Sequence, residues 1–210
     1  MNSQRPLNFS LLNEIQSASI LIRLSRDIDE KLGNLSYMEE FHHRAQAALM
    51  FFLKTDADLD SWRNEAYLRA GLNELYSLVD AGRRAFRKSG QKARPPLLSE
   101  SLHPLVHMMY SLRHINVHVK PSATSVAEIH ARMNDTNDDR EFTWNAVMLT
   151  DATESDLLGN GEVKKHYRAE DIQKAMAWVF KNQSAFGIGQ VFRIGTEVYC
   201  REVLAALQHP

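Results

Sequence analysis

Apolar residues recur at spacings of three and four along most of this chain, and the breaks in that rhythm mark where elements begin and end. In residues 10 to 32, Leu11, Ile15, Ala18, Ile22 and the Leu24 to Ile28 region predict one amphipathic helix, opened by Ser10 and stopped by Gly33. Phe41, Ala45, Ala48, Phe51 and Phe52 supply the apolar stripe of a second helix from about Tyr37 to Lys54. Asp56, Asp58 and Asp60 mark a polar turn before a third helix, Ser61 to Lys88, the longest in the chain. KSGQKARPP at 88 to 96 ends it, because Gly90 permits a C-cap and the two prolines cannot continue a helix. A fourth helix starts near Ser101 or His103 and ends near Val119.

From Ser122 to Asp151 the period changes to two. TSVAEIHARM and REFTWNAVMLT flank the polar run NDTNDD and predict a β-hairpin; the alternating Phe142, Trp144, Ala146 and Met148 read as a half-buried strand face. ATESDLLGNGEVKKH reads as a loop, and helices resume at Ala169 to Gln183 and around Gln190 to Leu207. The predicted fold is mostly α and a single domain over 1–210. It is an antiparallel helical bundle whose core spans 10–120, with a small hairpin insertion at 122–151 and C-terminal helices at 168–208.

Composition narrows the class without naming a function. Apolar residues make up 44% and charged residues 24%, the balance of a globular protein. The 25 basic and 26 acidic side chains nearly cancel, so contact with nucleic acid must be local. Cys200 is the only cysteine, which excludes an intramolecular disulfide and a multi-cysteine zinc site and reads as a small buried hydrophobe. The start, MNSQRPLNFS, lacks the pattern of a secretory signal, and the longest apolar run, AALMFFL, is far short of a membrane span. A cytoplasmic location without membrane contact is the expectation. GNG at 159 to 161 and GIG at 187 to 189 are too short to cradle a phosphate.

The candidate chemistry lies in the fourth helix. Placed at ~100° per residue, Leu105, Met108, Met109, Leu112 and Val119 gather on a core side and His103, His107, His114 and His118 on the opposite, polar side. Arg113 falls on the flank, with a stem able to lie on apolar surface and a guanidinium reaching past the helix end. The four histidines invite a metal reading. The two pairs stand roughly 16 Å apart and no carboxylate follows Glu100 in the stretch, so no metal and no cofactor is expected.

Pro121 forces the helix to stop at about His118 or Val119, which puts His118 in the last turn. There the negative end of the helix stabilises imidazolium while the neutral form stays accessible, as a general acid or base requires. Arg113 could hold a phosphate or the charge of a pentavalent phosphoryl transition state. A cation in a last helical turn is also common for dipole reasons alone.

Arg113, the polar His114 directly after it, and His118 resemble the motif of the HEPN superfamily, an arginine followed after four to six residues by histidine. The long helix EAYLRAGLNELYSLVDAGRRAFRK at 65 to 88 is similar to the helix that precedes the motif helix in many members. The resemblance implies a helical bundle that often dimerises with facing motifs, and metal-independent ribonuclease activity in toxin–antitoxin, defence or RNA-processing roles. It implies Arg113 and His118 as catalytic, with His114 and Asn116 supporting, and RNA, a second copy, and an antitoxin or regulatory protein as partners. One subgroup carries a modified tyrosine two residues after the histidine; Lys120 stands there in this chain. The other reading is a non-catalytic HEPN-like module that binds a protein or nucleic acid through the same surface.

Two further features bear on this. Glu74 either orients His118 or Arg113 or is an ordinary paired surface carboxylate. RRAFRKSGQKAR at 83 to 94 concentrates positive charge with no acid among it. Arg83, Arg84, Arg87 and Lys88, with Lys120, are candidates to track an RNA backbone, or else complement a helix dipole.

Overall fold

The computed structural model describes residues 7–12, 23–56, 58–118, 124–132, 141–150 and 153–208; side chains 116–118, 131–132, 141–142, 144, 154, 162, 164 and 166 lie outside that description. The expected NDTNDD turn, Lys120 and Pro121 therefore fall outside it, as do the side chains of Asn116, His118, Phe142 and Trp144. The described chain is mostly helical, with one small antiparallel sheet.

The first expected helix is not continuous. Phe9–Leu11 form a single 3-10 turn capped by Asn8, and residues 23–25 are not helical; α1 spans Arg26–Gly33. Ile15, Ala18 and Ile22 lie outside the described residues. The physical reason for the late start is Ser25, whose extended backbone precedes α1 and whose N–H donates to the Glu197 carboxylate at 3.1 Å. A 3-10 turn at Ser36–Met38 leads into α2, Glu39–Leu53, and α3 runs Ser61–Lys88 as expected. Bonds from Arg84 to Glu40 and from Arg44 to Glu74 set α2 and α3 antiparallel. Gly71 on α3 faces the Phe52 ring, which a Cβ there would strike. Phe52 in turn lies edge-on to Phe192, 5.1 Å between ring centroids.

After a 3-10 turn at Leu98–Glu100, α4 spans Pro104–His118. Strands β1, Thr124–Arg132, and β2, Glu141–Leu149, pair antiparallel with Thr124 opposite Leu149 and Arg132 opposite Glu141, inside the expected hairpin bounds. The hairpin packs on the helices at one end. Residues 146–149 are all buried rather than alternating, and the Gln183 amide bonds both the N–H and the carbonyl of Leu149, at 3.0 and 2.9 Å.

The segment expected to be a loop is two short helices, α5, Glu154–Gly159, and α6, Gly161–His166. Thr153 and Asp156 form a capping box that satisfies the first N–H groups of α5, and Leu157 and Val163 are completely buried. Two glycines mask this in the sequence. The chain ends with α7, Ala169–Phe186, and α8, Ile188–Gln208, extending the expected helices by a few residues.

Helix α4 is central. Leu105, Val106, Met108, Met109, Leu112 and Ile115 are all buried, covering more than one side of the helix. It crosses α8 at Gly195, where a Cβ would collide with the Met109 sulfur. Cys200 on α8 is fully buried, and burial pushes its thiol up, which leaves it an inert core residue. No described helix is long and apolar enough to cross a membrane.

Candidate functional site

The expected polar histidine face of α4 does not exist over its first half. His103 and His107 are buried, at 7% and 3% exposure, inside the chain's own core. A neutral imidazole can be buried when its nitrogens are used. His103 Nδ1 accepts the Leu105 N–H at 3.3 Å, as a cap to α4, and its ring also bonds the Leu11 backbone. That pairing requires the neutral tautomer protonated at Nε2. Burial lowers its pKa below the ordinary histidine value, against the raising effect of the Leu11 bond.

His107 Nε2 bonds the Ser101 carbonyl, and its ring meets Tyr167 edge-on at 4.4 Å. The Ser101 hydroxyl donates to Glu202 at 2.6 Å and accepts the His103 N–H at 3.1 Å. Burial raises the Glu202 pKa, and the Ser101 bond opposes it. These groups form a buried polar network that ties the start of α4 to α8.

The second half of α4 differs. Arg113 lies across to α3 instead of past the helix end: its guanidinium carbon sits 4.1 Å from the Tyr76 ring centroid, and Nε donates to Asn73 at 3.4 Å. Tyr76 stacks near Tyr110, with centroids 6.3 Å apart and planes at 21°, and Tyr110 meets the His114 ring at 4.6 Å. The 73–113 and 76–110 contacts make α3 and α4 antiparallel. No carboxylate pairs with Arg113 among the described residues. Its full charge is held in place by neutral partners, and that arrangement can bind an anion.

Glu74, expected near the pair, gives its carboxylate to Arg44 at 2.8 Å; the neighbouring Asn73 makes the Arg113 contact. His118 is the last described residue of α4, Pro104–His118, and its side chain lies outside the described residues. Arg113 and His118 are separated by about 7.5 Å along the axis. Asn116 belongs to the same last turn.

The basic run is partly neutralised by acids that lie outside it. Arg84 bonds both oxygens of Glu40 at 2.8 and 2.6 Å, Arg83 pairs with Asp80 at 3.0 Å, and Arg94 grips Glu100. The Arg84 hydrogen bonds hold the Glu40 carboxyl below its ordinary range and raise the guanidinium. Arg87 and Lys92 have no carboxylate partner among the described residues. With Arg83, Arg84 and Arg94 they line an open groove of about 500 Å³ at the end of α3. Lys88 is exposed beside it, and Lys120 lies outside the described residues. Among the described residues no cluster of histidine, cysteine and carboxylates could hold a metal ion.

The sequence reading missed Asn73, Tyr76, Tyr110 and Arg69. Arg69 stands one turn before Asn73 on the same stripe of α3, and its Nε is buried without a hydrogen-bond partner among the described residues. In the antiparallel register it is level with the last turn of α4. The spacing of 69, 73 and 76 was the available signal. Comparison with protein-family models, curated proteins and solved structures finds no match for this chain.

Proposed function

We propose that this chain is a metal-independent endoribonuclease of HEPN type, acting as a homodimer in which two copies of the Arg113–His118 helix end face each other. The observation that carries the reading is Arg113, a guanidinium fixed by Tyr76 and Asn73 and paired with no carboxylate among the described residues. A cation so held needs little reorganisation to meet a phosphate.

In this chemistry His118 takes the proton of a ribose 2′-hydroxyl. The 2′-oxygen bonds to the adjacent phosphorus, the bond from phosphorus to the 5′-oxygen breaks, and the leaving oxygen is protonated. Arg113 stabilises the added negative charge on the phosphoryl oxygens. The products are a 2′,3′-cyclic phosphate and a 5′-hydroxyl, with no metal required. A toxin or defence role, restrained by an antitoxin or regulatory protein, is the setting that the motif resemblance favours.

The same geometry favours one competing reading. Arg113 on Tyr76 is also a staple between two helices, as a non-catalytic binding module would use it. The test is cleavage of RNA in EDTA by the wild type and His118→Ala. The enzyme predicts cyclic-phosphate ends from the wild type and a loss of about 10²–10⁴-fold in the variant, with the thermal midpoint nearly unchanged. Cleavage that survives the substitution sinks the assignment.

A further inference from the structure

Arg69, Asn73, Tyr76, Asp80, Arg83 and Arg87 follow one another at alternating steps of four and three residues along α3. Arg69 and Arg87 are eighteen residues apart, five full turns, so they lie on one line about 27 Å long. Tyr76, Asp80, Arg83 and Arg87 are exposed, and Arg69 and Asn73 are half-buried. At one end, level with the last turn of α4, stands Arg69; at the other is the basic groove with Arg87 and Lys92. Between them lies Tyr76, a residue 37% exposed, with Arg113 over its ring and Tyr110 beside it. The one carboxylate on the stripe, Asp80, is paired with Arg83.

We infer that this stripe is a track for single-stranded RNA, leading from the basic groove across Tyr76 to the end of α4. Cations at both ends match the repeating charge of a phosphate backbone, and the part of Tyr76 that Arg113 and Tyr110 leave uncovered offers an aromatic surface to a base between them. A paired base has no face to offer Tyr76, so the track selects single strands over duplex. The inference deepens the ribonuclease reading and rests on it for the identity of the strand.

A single-stranded oligodeoxynucleotide tests the track apart from the chemistry, because without a 2′-hydroxyl it binds and is not cut. Fluorescence anisotropy across a salt series gives the slope of log affinity against log salt. Removing three phosphate contacts with Arg83→Gln, Arg87→Gln and Lys92→Gln together should weaken binding and flatten that slope by about 2, at ~0.7 per contact. Removing three charges elsewhere, with Arg26→Gln, Lys31→Gln and Lys54→Gln, should leave the slope unchanged. The track is overturned if the wild type does not bind the strand, if both triple variants lose equally, or if a duplex of the same length binds as tightly. Binding that depends on the track together with uncut RNA would keep the track and remove the nuclease.

Discussion

Between Pro104 and Met109, helix α4 is sealed inside the bundle; from Tyr110 onward one side of it opens along α3. Both halves carry histidines and both hold polar groups against aromatic rings. In the first half every polar contact points inward: His103 caps the helix, His107 bonds Ser101 and faces Tyr167, and Ser101 holds Glu202. In the second half the rings of Tyr76 and Tyr110 reach solvent, and the charge they hold belongs to an arginine with no acidic partner among the described residues. The difference teaches that histidine on a helix is informative about function only once its neighbours on other helices are known. The first pair of histidines is buried among the fold's own polar groups; of the second pair, the described side chain, His114, packs edge-on against Tyr110 and Tyr76 beside Arg113.

Substitution should separate the two halves by stability, with the largest effect at His107. His107→Ala empties a buried site and leaves the Ser101 carbonyl without its partner, at a cost of about 3 kcal/mol, or roughly 10 °C in thermal midpoint for a chain of this size. A midpoint within about 2 °C of wild type would break the distinction between a structural and a functional half.

A smaller effect is expected from pH. Burial sets the folded pKa of His103 below 6.5, so the folded state binds fewer protons than the unfolded state on the acid side. Its contribution is fully present above pH 6.5 and is lost as pH falls through the depressed folded value. The gap in midpoint between wild type and His103→Gln should therefore be wider at pH 8 than at pH 5, and the subtraction cancels the opposite slope of Glu202, whose folded pKa is raised. A gap that stays constant or widens in acid would mean that His103 is not held neutral.

The long periodic elements were legible in the sequence because their patterns are strong. Helix α3 and the hairpin match the expected spans, since a 28-residue helical stripe and two alternating runs leave little room for another reading. The break before Arg26 was not legible, because Ser25 answers to Glu197, far along the chain on α8. Helices α5 and α6 announce themselves only through the Thr153–Asp156 box, which glycines at 159 and 161 hide. Buried His107 was invisible for a similar reason, as Tyr167 arrives from beyond the hairpin.

Of the candidate site, the place of Arg113 and His118 on α4 could be read from spacing. What holds Arg113 could not, because Asn73 and Tyr76 come from another helix, about forty residues earlier. The basic run misled in the other direction. Its charge looked unopposed until Glu40 from α2 and Glu100 from the turn before α4 closed on Arg84 and Arg94.

The most direct measurement of the central claim compares RNA cleavage and thermal midpoint for Arg113→Gln. If Arg113 is held by Tyr76 to meet a phosphate, cleavage should fall by about 10²-fold or more, while the midpoint shifts only by the loss of one partly exposed cation–π contact, about 1 kcal/mol. A variant that is clearly destabilised and yet cuts RNA at the wild-type rate would contradict the account and make Arg113 a staple between α3 and α4.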